Sequence, residues 1–322
     1  MGRMKKTAII ILNYNNPSDT IACIKSVERY NTAPVKYVIV DNGSTDGVSV
    51  PEIDAFLSGA FAGGYKCVQE TDAVSGILPY VTFLTSLSND GYARGNNKGI
   101  ALTADDDEID RLMILNNDIL FIEDIIPALK EAQDNLPACA IISPLLMNGK
   151  GSGIDWNCAR KDTTIGSWVK NNFLAPYYWL CKKSVYEIYR ESLLLYKKEE
   201  PYPEFMPIEL PSGSCMLVKK DVFAAIGNFD PATFLYYEEN ILYRKLLKLK
   251  LGNYIATGLR CVHLGAATMA KSPSKIVAQA AKASRSYYVR TYLDSPWWQR
   301  ALLSVSDAWL QGFVFFKSIV KK

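Results

Sequence analysis

The sequence predicts an α/β protein built on a mostly parallel, Rossmann-like, doubly wound sheet. Three observations carry that expectation. Short apolar runs rich in β-branched residues recur along the chain, segments with helical spacing lie between them, and each of the first four runs stops on small polar residues. Strands without polar interruptions are usually covered on both faces, as in parallel sheets fed by βαβ units.

The first strand is expected at 7-TAIIIL-12. Its flank MGRMKK is basic, but the apolar run 8–12 is too short for the core of a signal peptide. A helix follows the Asn16-Pro17 start, with Ile21, Ile24 and Val27 on one face. Further strands are expected at 35-VKYVIV-40, 80-YVTFLTS-86, 111-RLMIL-115 and 138-ACAIIS-143. From about 148 to 211 the chain reads as an irregular insertion or elaborated loop over the sheet, rich in Tyr, Trp and Pro (168-WVKNNFLAPYYW-179, 201-PYPEFMP-207). Its aromatic rings would either stack on sugars or fill a satellite core. Regular structure resumes at 215-CMLVKK-220, then a helix to Gly227 and another over 237-YEENILYRKLLKLK-250, and two short strands at 253-NYIAT-257 and 260-RCVHLG-265. In the tail, Trp298, Leu302, Val305, Trp309, Phe313, Phe316 and Val320 recur every three or four positions, the mark of an amphipathic helix. Its longest apolar stretch falls far short of the roughly 20 residues that cross a bilayer.

With 322 residues, 49% hydrophobic and 21% charged, the chain can bury one large core or two smaller ones. Its seven cysteines are scattered, with no CxxC pair or disulfide-framework spacing, which points to a reducing cytoplasm. The net charge of +3 is uneven. Residues 271–322 hold nine Lys/Arg and two Asp/Glu, a balance of +7, which leaves −4 for the rest. Nucleic acid is therefore not expected as a partner of the main body. The tail suits an anionic membrane surface, or packing on the main body or in a homodimer.

The runs end on Asn13-Tyr14-Asn15, Asp41-Asn42-Gly43-Ser44, Ser88-Asn89-Asp90-Gly91 and Asn116-Asn117-Asp118. Asn and Asp close strands by bonding their own backbone, so turn formation is one explanation. The other is a ligand crevice along the carboxyl ends of a parallel sheet. The acid run 105-DDDEID-110 reads as a solvated loop without chemistry.

Four segments now stand in order and spacing: 38-VIVDNGSTDG-47, 89-NDGYARGNNKGI-100, 115-LNND-118 and 212-SGSCMLVKKDVFAAIGNFDPATFLYYEENILYR-244, with VHLG at 262–265. Together they resemble the family 2 inverting glycosyltransferases of GT-A fold, in the rhamnosyltransferase- and galactofuranosyltransferase-like branch that builds bacterial surface polysaccharide. The resemblance covers roughly residues 5–270. It implies a transferase domain over 1–270, with a nucleotide-sugar-binding half at about 1–120, an acceptor-binding half at 121–270 and the helical tail at 271–322. It also implies a dTDP- or UDP-sugar donor, a glycan or lipid-linked acceptor, and a cytoplasmic enzyme that is peripheral on the inner membrane face.

The resemblance also distributes roles. Asp118 would hold a divalent cation, Mg²⁺ or Mn²⁺, that neutralises the leaving diphosphate. The family often has DxD here; Asn116 replaces the first acid and would touch the ribose through its amide. His263, the sole histidine, matches a metal ligand of similar enzymes; by itself a lone His is as readily structural. Asp41, Asn13 and Tyr14 would meet base and ribose, with Asn117 on the same rim. Gly91 and Gly95 would allow close backbone approach to a ligand, and Arg94 and Asn97 would face diphosphate or base. The acid pair Glu238-Glu239 stands where the family places Glu-Asp, with Glu239 as general base. A helix's first turn favours acids in any case. Two other readings fit an α/β chain: a sugar-phosphate nucleotidyltransferase, which would carry a Gly-rich basic loop where this chain has NYNNPSD, and an inactive glycan-binding protein on the same fold.

Overall fold

The computed structural model describes residues 5–72, 74–155, 157–194, 201–265 and 274–320. The expected start of the tail at 271 and its terminal Lys321 and Lys322 lie outside these residues. The strands are β1 (Lys6–Asn13), β2 (Val35–Asp41), β3 (Tyr65–Gln69), β4 (Val81–Thr85), β5 (Ile109–Asn116), β6 (Ile119–Phe121), β7 (Cys139–Asn148), β8 (Ala159–Arg160), β9 (Phe205–Ile208), β10 (Leu210–Pro211), β11 (Cys215–Lys219) and β12 (Gly252–His263). Ten of them form one mixed, mostly parallel sheet in the order β3-β4-β2-β1-β5-β11-β7-β12-β6, with β9 on β12. The first five in that order run parallel, and β11 lies antiparallel to both β5 and β7.

The helices are α1 (Pro17–Tyr30), α2 (Ser49–Ala60), α3 (Gly91–Leu102), α4 (Ile126–Asn135), α5 (Ile165–Phe173), α6 (Ala175–Leu180), α7 (Val185–Leu193), α8 (Lys220–Ala225), α9 (Glu238–Lys248), α10 (Ser274–Thr291) and α11 (Trp297–Val320). Alternate residues of one strand enter opposite cores. Ile9 and Ile11 join one buried cluster, while Ala8 and Ile10 join the other. Both faces of the sheet are thus covered, as its uninterrupted apolar runs require.

Four expectations are corrected. Segments 253–257 and 260–265 form one strand, β12, because its partner β7 stays paired across a register shift between Ala256 and Arg260. The insertion is not irregular: it holds α5, α6 and α7, and side-chain capping boxes at Thr164 and Ser184 start α5 and α7. The edge strand β3 escaped the sequence reading because only Val68 of its five residues is buried, so no apolar run marks it. The acid run 105–110 is not a solvated loop. Asp106 is fully buried and lies 2.6 Å from the Lys36 Nζ, which also sits 2.9 Å from Glu108. Those carboxylates neutralise a lysine that the middle of the sheet would otherwise bury alone.

A third, smaller core joins the insertion to the tail. Ile165 and Trp168 of α5, Ile241 of α9, Tyr288 and Val289 of α10 and Leu303 of α11 are buried together. Of the two fates for the insertion aromatics, Trp168 takes the satellite core, and Tyr178 is buried with its hydroxyl donating to Asn171 at 3.2 Å. Asp162 ties the same elements: it accepts from Asn240 (2.6 Å) and Tyr288 (2.7 Å) and pairs with Arg244 (2.5 Å). Asn172 of α5 donates to Ser306 and Asp307 of α11, at 3.1 and 2.9 Å.

Candidate active site

Register along the sheet decides which strand ends meet. Asn13 pairs with Asp41 across β1 and β2, and Leu12 with Asn116 across β1 and β5. Asn13 Nδ2 donates to Asp41 at 2.8 Å, and its Oδ1 accepts from the Thr20 hydroxyl at 2.8 Å. The other Asp41 oxygen takes the Ser44 N–H at 2.9 Å, so this buried carboxylate builds the turn after β2 as well as the rim. Asn117 closes the network from the next strand, donating to Asn13, Thr20 and the Asn16 carbonyl at 3.0–3.3 Å. Tyr14 is half-buried beside it.

The second group assembles where β5 passes into β6. β6 pairs antiparallel with β12, so that His263 stands opposite Ile119 and beside Asp118, and Leu264 N–H donates to the Asp118 carbonyl at 2.9 Å. His263 Nε2 lies 3.4 Å from Asp118 Oδ2, and its Nδ1 lies 2.7 Å from Asp155. Burial works against a charged ring here, but Asp118 and then Asp155 outweigh it and lift the His263 pKa to about 10. Burial likewise opposes charge on Asp155, yet the His263 hydrogen bond and the Asn157 N–H hold it below the usual carboxylate range. Asp118 Oδ1 is buried with no hydrogen-bond partner among the described residues.

The loop 212-SGS-214 joins this group to the acid pair. Asn116 donates to Ser214 through both its backbone N–H (2.8 Å) and its side chain (3.2 Å). Next door, the Gly213 N–H donates to Glu239 at 3.0 Å, and Tyr92 donates to the Gly213 carbonyl at 2.7 Å. A Cβ at residue 213 would sit 2.8 Å from the Glu239 carboxylate, so a larger residue here would push that carboxylate aside. Glu239 also faces Arg160 of β8 at 3.6 Å. Glu238 turns inward and is buried; burial, then the neighbouring Glu239, pushes its pKa up to about 8. Tyr236 and Tyr237, just before the pair, both sit at φ 72°, left-handed conformations that cost about 1–3 kcal/mol each. The ring of Tyr237 stacks on that of Tyr288 at 5.5 Å, which helps to hold that geometry.

Arg94 and Asn97 join neither group. Arg94 is exposed and its Nε donates to the Pro231 carbonyl at 2.8 Å, while Asn97 uses both amide atoms on the backbone of Phe229. The glycines of α3 serve the same seam: a Cβ at Gly91 would strike the Phe234 carbonyl, and one at Gly95 would meet Leu12. In the structure the close approach that they allow is to protein.

No family model matches the chain. It is 23% identical, over 305 residues, to the N-acetylglucosaminyl-diphospho-decaprenol L-rhamnosyltransferase of Mycobacterium tuberculosis, an alignment that covers 91% of this chain and 87% of that one. It is 25% identical over 232 residues to a low-salt glycan biosynthesis hexosyltransferase of Haloferax volcanii, covering 72% of this chain and 58% of that one. Among solved structures, GalNAc-T7 with UDP, GalNAc and Mn²⁺ superposes with a TM-score of 0.55 at 12% identity. The superposition covers 82% of this chain and 45% of that one, so the chain spans less than half of that protein. The chain has the GT-A fold and is a glycosyltransferase, similar to proteins named as a rhamnosyltransferase and a hexosyltransferase.

Two residues of the candidate site are not marked by the sequence, Asp155 and Arg160. Both sit in the insertion, in a stretch with no periodicity to fix which way its side chains face. The one signal was indirect: a lone histidine at a strand end needs a partner on its second ring nitrogen to hold its orientation. Cys23, Cys139, Cys158, Cys215 and Cys261 are buried thiols, and Cys67 and Cys181 are exposed ones.

Proposed function

We propose that the transferase moves a sugar, rhamnose in the first instance, from a dTDP- or UDP-sugar to a lipid-linked glycan, with inversion and with Mg²⁺ or Mn²⁺ as cofactor. It acts as a cytoplasmic enzyme at the inner membrane face during surface polysaccharide synthesis. The observation that carries the reading is the buried, unpartnered Asp118 Oδ1 beside the sole histidine. The residues fit a divalent cation: Asp118 offers a hard oxygen, and Asp155 on Nδ1 orients His263 Nε2 toward it, as carboxylates orient metal-binding histidines. No third acidic, histidine or cysteine ligand joins them among the described residues, which suits an ion completed by substrate phosphates and water. The bound ion would supply charge to offset the leaving diphosphate. GalNAc-T7, of like fold, holds UDP and Mn²⁺, and the mycobacterial relative is named for an acceptor on decaprenyl diphosphate.

The protein's own groups divide the remaining work. The rim of Asn13, Tyr14, Asp41 and Asn117 receives base and ribose, with Asn116 beside it. Glu239 takes the proton of the acceptor hydroxyl while that oxygen bonds to the anomeric carbon, and the bond from that carbon to the diphosphate oxygen breaks on the opposite face. The Gly213 N–H fixes the Glu239 carboxylate during this exchange. Glu238, buried and protonated near neutral pH, keeps a second negative charge away from the base.

Calorimetric titration of nucleotide sugars with and without Mn²⁺ tests the reading. Donor binding should require the ion, and Asp118→Ala should lose both the ion dependence and turnover without unfolding the chain. Full turnover in excess chelator would reject the metal assignment.

A further inference from the structure

The helix α11 has three faces, and only one is accounted for by the fold. Leu303 and Ser306 are buried against α5, and the edge at Arg300, Ser304 and Gln311 is polar. The third face, at helical spacing, carries Trp298, Val305, Trp309 and Phe316, each about half exposed or more (53, 59, 49 and 53%). A helix that merely faced water would be polar there. The short helix α6 extends the same surface. Its Pro176 and the Trp309, Phe313 and Phe316 of α11 line an apolar groove of about 420 Å³, and Leu180 at its end is 74% exposed. Contiguous apolar area of this kind on a water-soluble body marks an interaction site.

We infer that this face of α6 and α11 lies on an anionic lipid bilayer, with α11 in the plane of the interface. It deepens the proposed function, resting on it only for the idea that the acceptor is carried by lipid. Three features favour a bilayer over a second copy of the chain. The side chains are Trp-rich, and indole rings prefer the boundary between acyl chains and headgroups. The surroundings are basic: Lys182 and Lys183 follow α6 exposed, Lys317 lies on α11, and the only acid of α11, Asp307, is paired with Arg285. A two-fold contact through this face would set those like charges against their own copies, whereas phosphate headgroups neutralise them. Finally, no described helix is long and apolar enough to cross a membrane, so an in-plane position is the one open to α11.

Sedimentation of the full chain with vesicles tests the surface directly. The protein should pellet with phosphatidylcholine vesicles containing phosphatidylglycerol, less with phosphatidylcholine alone, and less as salt rises. Val305→Glu and Leu180→Glu change exposed side chains of this surface (59 and 74%) and should leave the melting temperature unchanged. Each should lower the bound fraction about tenfold. Quenching of tryptophan fluorescence by brominated lipid in the unaltered chain gives a second reading that needs no variant. Protein that stays in the supernatant with anionic vesicles, binding that neither substitution weakens, or a stable dimer that Val305→Glu dissociates would overturn the inference. The vesicles contain no acceptor, so they report docking alone. Transfer to a water-soluble acceptor fragment reports the transferase reading alone, and neither result depends on the other.

Discussion

The two ends of the crevice are built on opposite terms. At the Asn13–Asp41 end, both polar atoms of Asn13, both oxygens of Asp41 and the Thr20 hydroxyl are bonded to protein. At the Asp118–Glu239 end, Asp118 Oδ1, Arg160 Nε and Glu238 Oε1 are buried without a partner among the described residues. An unsatisfied buried polar atom costs about 1–3 kcal/mol. Under the proposed function, the first end is a finished scaffold whose shape would receive the donor, and the second is a set of groups that the ion and the acceptor would complete. Substitutions should therefore act on stability at the first end and on chemistry at the second.

The largest effect is expected at Glu239. Glu239→Gln keeps the size and can still accept the Gly213 hydrogen bond, but it cannot take a proton, so turnover should fall about 10²–10⁴-fold with donor affinity nearly unchanged. The same change at Glu238 should cost much less. A near-normal rate for Glu239→Gln beside a collapsed rate for Glu238→Gln would transfer the role to the buried neighbour and break the comparison as drawn.

Asp155 comes next. It touches only the far nitrogen of His263, so Asp155→Asn leaves the proposed ligands in place while loosening the ring. Loss of such an orienting carboxylate usually costs 10–100-fold in metal affinity or activity. Titrating Mn²⁺ against turnover should show the ion requirement moved to higher concentration, with the rate at saturation partly restored. An unchanged Mn²⁺ requirement would leave Asp155 a purely structural partner.

How far the sequence revealed these two ends depends on what positions each residue. Asn13, Asp41, Asn116 and Asp118 were legible because a parallel sheet places the carboxyl ends of its strands on one rim whatever their loops do. His263 was legible as a residue, but its neighbour in space depended on β6 pairing with β12, a non-local contact. Asp155 and Arg160 depended on the packing of a segment read as irregular. Arg94 and Asn97 join neither group, which the sequence could not show, since a motif's spacing says that residues share a helix but not which body the helix faces. The acid run 105–110 misled because charge in a loop is usually solvated, and its partner Lys36 lay in what read as an apolar strand.

Glu238 offers a test through pH. An unfolded glutamate releases its proton near pH 4.5, whereas the folded protein keeps it until about 8. Between those values the native state binds more protons than the unfolded one, so this group's contribution to stability is full below 4.5 and is lost as pH rises toward 8. Urea unfolding across this range should show the decline, and Glu238→Gln, which cannot ionise, should flatten it. Parallel pH profiles for the two proteins would mean that Glu238 titrates as an ordinary surface acid.

The smallest effect belongs to the finished end and checks that it is a scaffold. Thr20 lies on α1 and holds Asn13 and Asn117 together, receiving the Asn117 amide at 3.0 Å and donating to Asn13 at 2.8 Å. Thr20→Val keeps the shape and removes only the hydroxyl, leaving two buried amides each short of one bond. The expected cost is about 1–3 kcal/mol of stability, measured by urea unfolding. Turnover should stay within a few-fold of the unaltered enzyme, because Asp41 remains anchored by Ser44 and by Asn13 itself. If Thr20→Val instead leaves stability unchanged and lowers turnover sharply, the network at the first end tunes the donor site, and the division between a scaffold end and a chemical end does not hold.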